Sequence, residues 1–587
     1  MMEQSVSKHI RDEVSLVICG EAGQGIQTVE RLLTRVLKLA GFHVSATKEY
    51  MSRVRGGSNS TEIRVSSRRV SAFVNRIDIL IPLDKDALGH LAGRISDETI
   101  IIGDREKLGA VNRTIIDIPF SKIAAEIGSP LYANTIGIGV ILGLLKVEAE
   151  VLSTFLSGFF EKKSKDIIEK NIIAGKRGHE LGSALAGSLA GPGKIDISIT
   201  RDARVKDEML ANGAELISMG AIAGGCDFVA AYPMTPSTGI LTFLSQHAAE
   251  FGIIAEQAED EISAINMAIG AWYAGARALV PTAGGGFSLM AEALSLAGMI
   301  ESPLVISVGQ RPAPATGLPT RTEQGDLESV LYAGHGEFPR AVLAPGTVEQ
   351  GFHLMQKAFA LADRCQVPVI VLSDQYLVDM YYNIPPLDVS RKPAERAVIA
   401  TGKEYKRYAF TPDGISPRGI PGHGEGLVAV DSDEHDEEGH ITENLDLRVK
   451  MTEKRLKKKE TLQKEALPPE LIGAKEYKTL IIGWGSTYGV IKEALEIVND
   501  RDMAFLHFSQ VYPLHESTAA YLKKAQRLVI AENNATGQFA KVLMLATGIE
   551  IKERILKYNG MPFTLEEMTE KIRSYAPHER AEVLKAR

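Results

Sequence analysis

The sequence predicts an α/β protein of three domains, and three observations carry that expectation. Short β-branched runs such as VSLVICG (Val14 to Gly20), LVISVG (Leu304 to Gly309) and TLIIGWG (Thr479 to Gly485) alternate with segments whose apolar residues recur at helical spacing. At 587 residues the chain far exceeds the roughly 100–200 residues usual for one domain. Two stretches break the alternation: a small-residue, Gly-rich run, GSALAGSLAGPGK (Gly182 to Lys194), and a charged segment from about Arg396 to Leu467. The expected organisation is a first α/β domain over 1–187, a linker over 188–205, a second α/β domain over 206–395, an inserted charged arm over 396–470 and a third α/β domain over 471–587.

Composition narrows the classes of function. Apolar residues are 45% and charged residues 24% of the chain, which excludes global disorder. The balance of 66 basic and 74 acidic side chains gives −8, so no basic field exists to bind nucleic acid or an anionic membrane. No apolar run reaches the ~20 residues a bilayer span needs. The charged start MMEQSVSKHIRDE lacks the apolar stretch of a secretory signal, so a cytoplasmic location is expected. Only Cys19, Cys226 and Cys365 are present, too few and too far apart for a four-thiolate cluster or a structural zinc site.

In the first domain the strand VSLVICG feeds the turn GEAGQG (Gly20 to Gly25), then Ile26, Val29, Leu32, Leu33, Val36 and Leu37 at helical spacing. A glycine turn before a helix offers free N–H groups to an anion, with Gly23 and Gly25 the candidates. Its spacing departs from GxGxxG, and a tight strand-to-helix turn explains the same glycines. Downstream, MSRVRGGSNS (Met51 to Ser60) sets Arg53 and Arg55 before Gly56, a pattern able to clamp phosphate or simply to face solvent. The pairing of GEAGQG with RVRGG resembles the gamma domain of 2-oxoacid:ferredoxin oxidoreductases, a Rossmann-like domain on the coenzyme A side.

In the second domain, AAYPMTPST (Ala230 to Thr238) is similar to the family's YPITPSS-type loop. Its two prolines stiffen the loop and fix the hydroxyls of Thr235 and Ser237. The resemblance assigns Thr235 to the 2-oxoacid, with Tyr232 and Ser237 beside it. The run AEQAEDEISAINMAIGAWYAGARALVPTAGGGFSL resembles the thiamine pyrimidine-binding domain of the family, where a carboxylate at a helix start hydrogen-bonds the aminopyrimidine ring nitrogen. Glu261 matches that carboxylate best and Glu259 competes with it; either also suits a helix N-terminus electrostatically. Inside GLPTRTEQGDL, the resemblance makes Arg321 the partner of the substrate carboxylate; the alternative is that the guanidinium pairs only structurally, with Glu323 or Asp326. The arm's DSDEHDEEGH (Asp431 to His440) fits no standard metal-ligand spacing and reads as a solvated acidic loop, so no metal is expected on this chain.

The third domain's GWGSTYG (Gly483 to Gly489) and AENNATGQFAKVL (Ala531 to Leu543) resemble the family's transketolase-C-like domain, which implies an assembly role. Taken over the whole chain, the resemblance is to the alpha subunit with a fused gamma domain. It implies a CoA-acylating oxidative decarboxylation in which thiamine diphosphate is shared with a beta subunit and electrons pass to ferredoxin. Magnesium and a [4Fe–4S] cluster are expected on the beta subunit alone, because no GDG…N element and no cysteine set occur here. An (alpha–beta)2 heterotetramer is implied. The fused organisation favours 2-oxoglutarate, with branched-chain 2-oxoacids or pyruvate as alternatives, and a non-catalytic nucleotide-binding scaffold is the reading from another class.

Overall fold

The computed structural model describes residues 8–21, 24–51, 57–109, 111–187, 194–388 and 395–576, the side chain of Gln27 excepted. The chain divides into two compact units, 1–211 with 380–386, and 212–379 with 387–587.

The first unit is built on an eight-stranded sheet. From one edge the order is Ile115–Asp117, Ile100–Gly103, Ile79–Pro82, Glu13–Glu21, Ser58–Ser66, His43–Glu49, Tyr381–Ile384 and Met209–Asn212. The first four are parallel and the next two antiparallel, so the crossover direction reverses at the central strand Glu13–Glu21. That strand is buried along seven consecutive residues, as a near-continuous apolar run requires. Helices Tyr132–Leu144 and Lys165–Leu185 pack backbone to backbone, because Gly139, Gly143, Gly178 and Gly182 leave no room for side chains between them. Residues 188–193 of the expected linker lie outside the described residues. Within 194–205 the chain forms the strand Ile195–Ser198, parallel to Lys8–Arg11, so this stretch is part of the first unit rather than a spacer.

The second unit holds two sheets. The larger runs Ile254–Gln257, Phe228–Ala231, Ala278–Ala283, Leu304–Gln310, Pro368–Asp374, Ala341–Leu343 and Gln510–Tyr512, parallel except for the last strand. The smaller runs Glu470–Gly473, Met503–Phe508, Thr479–Trp484, Arg527–Glu532 and Glu553–Leu556. The strand Gln510–Tyr512 follows the smaller sheet's Met503–Phe508 in sequence yet pairs with Ala341–Leu343 of the larger, which stitches the second and third expected domains into one core.

The charged segment 396–470 is packed rather than peripheral. Its helix Leu445–Lys464, capped by Asn444 on the Leu447 N–H, buries Met451, Lys454, Arg455, Lys458 and Leu462. Lys454 and Lys458 each bring Nζ within 2.6 Å of the buried Glu301 carboxylate. In the acidic run, Glu434 takes two 2.9 Å bonds from Arg455, and His435 is fully buried against the Tyr408 ring, at 3.9 Å between centroids. The expectation of a solvated acidic loop therefore fails for Glu434 and His435, whose charge and ring are matched by partners distant in sequence. Asp436, Glu438 and His440 remain outside that packing, with one potential ligand atom each within 4.8 Å, an arrangement common in exposed acidic turns. Among the described residues no single helix is long and apolar enough to cross a membrane.

Candidate active site

Glu261 and Thr235 follow the C-terminal ends of adjacent parallel strands of the second unit, where α/β sheets place ligands, and Arg321 is carried by a loop that leaves the end of another strand of the same sheet. Strand Phe228–Ala231 leads into the Tyr232–Ser237 loop, Ala278–Ala283 into the short helix Gly284–Leu289, and Leu304–Gln310 into the loop carrying Arg311 through Asp326.

Glu261 is the first residue of helix Glu261–Tyr273, whose N-cap Asp260 accepts the Ser263 N–H at 2.7 Å. The cap satisfies one helix-end donor and leaves the Glu261 side chain for another task. That side chain is 4% exposed, and its Oε1 accepts no hydrogen bond among the described residues. It rests on Gly286, where a Cβ would come within 2.7 Å of Oε1 and Cγ, so any side chain there would displace the carboxyl. Glu259, the competing carboxylate, is exposed and precedes the helix. Of the two, Glu261 has the buried, unsatisfied oxygen that a ligand N–H can complete.

Thr235 is half-buried, and its carbonyl accepts a 2.7 Å bond from Arg311 Nη1. Ser237 is buried and donates its hydroxyl to the Thr282 carbonyl, so it pins the loop to the neighbouring strand. Tyr232 is exposed. Arg321 is half-buried beside Gly560, with Nη1 3.8 Å from Met561 Sδ, and the next residue donates its N–H to the Gly560 carbonyl at 3.1 Å. Gln324 anchors this loop. Its Nε2 donates to the Trp484 carbonyl, its Oε1 accepts from Asn533 N–H, and its own N–H donates to the Asn533 carbonyl at 2.7 Å.

Two residues of this cluster were not singled out for ligand work by sequence reasoning. Arg311 follows the strand end at Gln310 directly, and burial lowers its pKa against the opposing pull of Asp326. Asp326 is 8% exposed, and burial pushes its carboxyl up to about 6 although Arg311 pulls it down. Glu323 is raised too, by burial and then by the charge of Asp326. The only signal for Arg311 in the sequence is its position one residue past a buried parallel strand.

In the first unit, Gly25 takes φ +80° at the start of helix Ile26–Leu39, and Asn134 Nδ2 crowds the space a Cβ would need. Gly23, Arg53, Arg55 and Gly56 lie outside the described residues. A cavity of about 370 Å³ sits where the crossover direction reverses, lined by Gln24, Gly25, Leu83, Asp104, Lys107 and Asn134 among others.

Residues 219–454 match the family model described as "Pyruvate flavodoxin/ferredoxin oxidoreductase, thiamine diP-bdg", and residues 15–181 match "Pyruvate ferredoxin/flavodoxin oxidoreductase". Fold and site thus define an oxidoreductase with a thiamine diphosphate-binding domain. The chain is 32% identical to a Sulfolobus 2-oxoacid:ferredoxin oxidoreductase subunit alpha over 95% of its own length and 96% of that protein. It is 27% identical to the 2-oxoglutarate oxidoreductase subunit KorA of Mycobacterium tuberculosis, over 96% of this chain and 91% of that one. Among solved structures it superposes with a TM-score of 0.90 and 28% identity on the 2-oxoglutarate:ferredoxin oxidoreductase from Magnetococcus marinus, covering 96% of this chain and 99% of that chain. The chain belongs to the 2-oxoacid:ferredoxin oxidoreductase family, as an alpha subunit.

Proposed function

We propose that this chain forms the aminopyrimidine and substrate side of a CoA-acylating 2-oxoglutarate:ferredoxin oxidoreductase, reversible between 2-oxoglutarate and succinyl-CoA, that works only with a second subunit. The observation that carries this reading is the buried Oε1 of Glu261 at a helix start, packed on Gly286 and without a hydrogen-bond partner among the described residues. Thiamine diphosphate, when bound, supplies a nucleophilic carbon that adds to the 2-oxo group and accepts the electrons left by decarboxylation. Glu261 holds a proton between its carboxyl and the ring nitrogen presented to it, which a dry site strengthens. Thr235 and the two arginines of the adjacent loop orient the oxoacid, because a guanidinium grips both oxygens of a carboxylate in its own plane.

Two arginines on one loop suit a dicarboxylate, and the names of the Mycobacterium tuberculosis and Magnetococcus marinus relatives point to 2-oxoglutarate. The structure in which the latter is solved has 2-oxoglutarate, coenzyme A and succinyl-CoA bound. For coenzyme A we assign the first unit, with Gly23, Gly25, Arg53, Arg55 and Gly56 on the phosphate side. Magnesium and the [4Fe–4S] cluster are assigned to the beta subunit, in an (alpha–beta)2 assembly in the cytoplasm.

Co-expression with the partner, followed by CoA-dependent viologen reduction over a panel of 2-oxoacids, tests the reading. The highest kcat/KM is expected for 2-oxoglutarate. Preference for pyruvate or a branched-chain acid would replace the substrate, and no turnover of any 2-oxoacid would favour the scaffold reading.

A further inference from the structure

A second carboxyl group of this site has an unpartnered oxygen, and it rests on the same glycine turn as Glu261. Asp326 precedes helix Leu327–Tyr332 without capping it, and its Oδ2 accepts no hydrogen bond among the described residues. Its N–H donates to Gln310 Oε1 at 3.0 Å, which fixes the backbone and leaves the side chain to lie on Gly284. A Cβ at Gly284 would fall 2.3 Å from Oδ2 and 2.5 Å from Oδ1 and Cγ. Glu261 lies against Gly286 in the same way, so the two carboxyl groups bear on buried glycines separated by one residue.

A buried carboxylate oxygen without a hydrogen-bond partner among the described residues is a standing cost to the fold, and asparagine or an apolar residue would fill the space at less. The charged groups facing it do not remove that cost. Arg311 attracts the ionised form but spends its Nη1 donor on the Thr235 carbonyl, and Glu323 adds a second negative charge beside it. Burial outweighs Arg311 and leaves a carboxyl that titrates near pH 6, within reach of the pH at which enzymes use such groups.

We propose that Asp326 is a second ligand-facing carboxyl group of this site, which takes a hydrogen bond from an O–H, N–H or S–H group of the bound reactants and exchanges a proton with it. The inference rests on the reading of the site given above. In the exchange the carboxylate accepts the ligand's proton on Oδ2, the ligand keeps the electron pair, and the proton returns to the ligand or to water. No oxidant or further reactant is needed.

Two variants test it in the complete enzyme and in the chain alone. Asp326→Asn keeps the volume and removes the titration. For the chain alone its thermal midpoint at pH 7.5 is expected at or above that of the wild type, whereas a structural carboxylate would make it fall. With the partner, kcat/KM for the 2-oxoacid should drop at least ~100-fold, in the range of a lost acid–base group, and the limb of its pH profile near pH 6 should disappear. Gly284→Ala pushes the same carboxyl aside without removing it and should cost at least ~10-fold while the protein stays folded. Activity within threefold of wild type in Asp326→Asn, with an unchanged pH profile, overturns the proposal. A lower midpoint that tracks the loss of activity overturns it as well. If the wild-type complex turns over no 2-oxoacid, the reaction assigned above fails, while the midpoint of the chain alone still judges Asp326: a fall rejects it.

Discussion

Gly286→Ala probes the site through a single methyl group. An alanine Cβ there would stand 2.7 Å from Glu261 Cγ and Oε1 and 2.3 Å from Thr282 Oγ1, against about 3.4 Å for ordinary contact. The Glu261 carboxyl must therefore retreat by 3.4 − 2.7 = 0.7 Å, and the Thr282 hydroxyl by 3.4 − 2.3 = 1.1 Å. Overpacking of this kind costs about 1–3 kcal/mol, and replacing a helical glycine by alanine returns about 1 kcal/mol. The net loss of about 0–2 kcal/mol leaves the protein folded. Activity is less tolerant, because displacing a catalytic group by about 1 Å lowers rates on the order of 100-fold. The expected result is a 10- to 100-fold lower kcat in viologen reduction by the complex. As the control, Gly270→Ala on the helix that Glu261 begins has open space at its Cβ and should change the rate by less than about twofold. A folded Gly286→Ala enzyme within threefold of wild type would refute the view that close packing on glycine positions Glu261.

Further outcomes follow from other parts of the unit. Glu261→Gln should abolish thiazolium proton exchange in the complex while Glu259→Gln leaves it nearly unchanged, and the opposite pattern would exchange their roles. Arg311→Lys and Arg321→Lys should each cost about 1–3 kcal/mol in kcat/KM; a uniform loss over the 2-oxoacid panel marks the arginine on the common carboxylate, and a loss confined to 2-oxoglutarate marks the one on its distal carboxylate. Because burial raises Asp326 from 3.8 to about 6, its contribution favours the fold below pH 4 and is lost as the pH rises through 6, by about 3 kcal/mol in total. The stability gap between Asp326→Asn and wild type, measured by urea titration, should therefore open between pH 4 and 6 and stay level above it. Burial opposes ionisation of Glu301, but Lys458, Lys454 and Arg407 outweigh it and hold the carboxyl well below its usual range. Glu301→Gln strands two buried ammonium groups and should cost about 3–5 kcal/mol of unfolding free energy, and a loss under 1 kcal/mol would mean that the pair contributes little.

The fold class was legible because buried parallel strands write themselves as apolar runs, and the chain carries one after another from Val14 to Glu532. Which strands are neighbours was not legible, since the pairing of Gln510–Tyr512 with Ala341–Leu343 joins residues about 170 apart and leaves no local pattern. The charged helix misled for a different reason. Lys454, Arg455 and Lys458 occupy the positions at helical spacing between Met451 and Leu462 that apolar residues usually fill; Glu301, 153 residues from Lys454, answers the two lysines, and Glu434, in the loop before the helix, answers Arg455. At the site, motif and chemistry offered two candidates for the carboxylate proposed to face the pyrimidine, and the structure buries Glu261 and exposes Glu259. Asp326 was legible only as a counter-ion for Arg321, because nothing in GDLES states that its carboxyl would be buried on Gly284 without a partner.

The central claim is that this chain holds one side of a thiamine diphosphate site and needs a second subunit for the other, and calorimetric titration of the cofactor with magnesium tests it most directly. The chain alone should give no stoichiometric binding isotherm, and the same titration after addition of the partner should give one cofactor per pair, with the Glu261→Gln pair weaker. Tight stoichiometric binding by the chain alone would contradict the account.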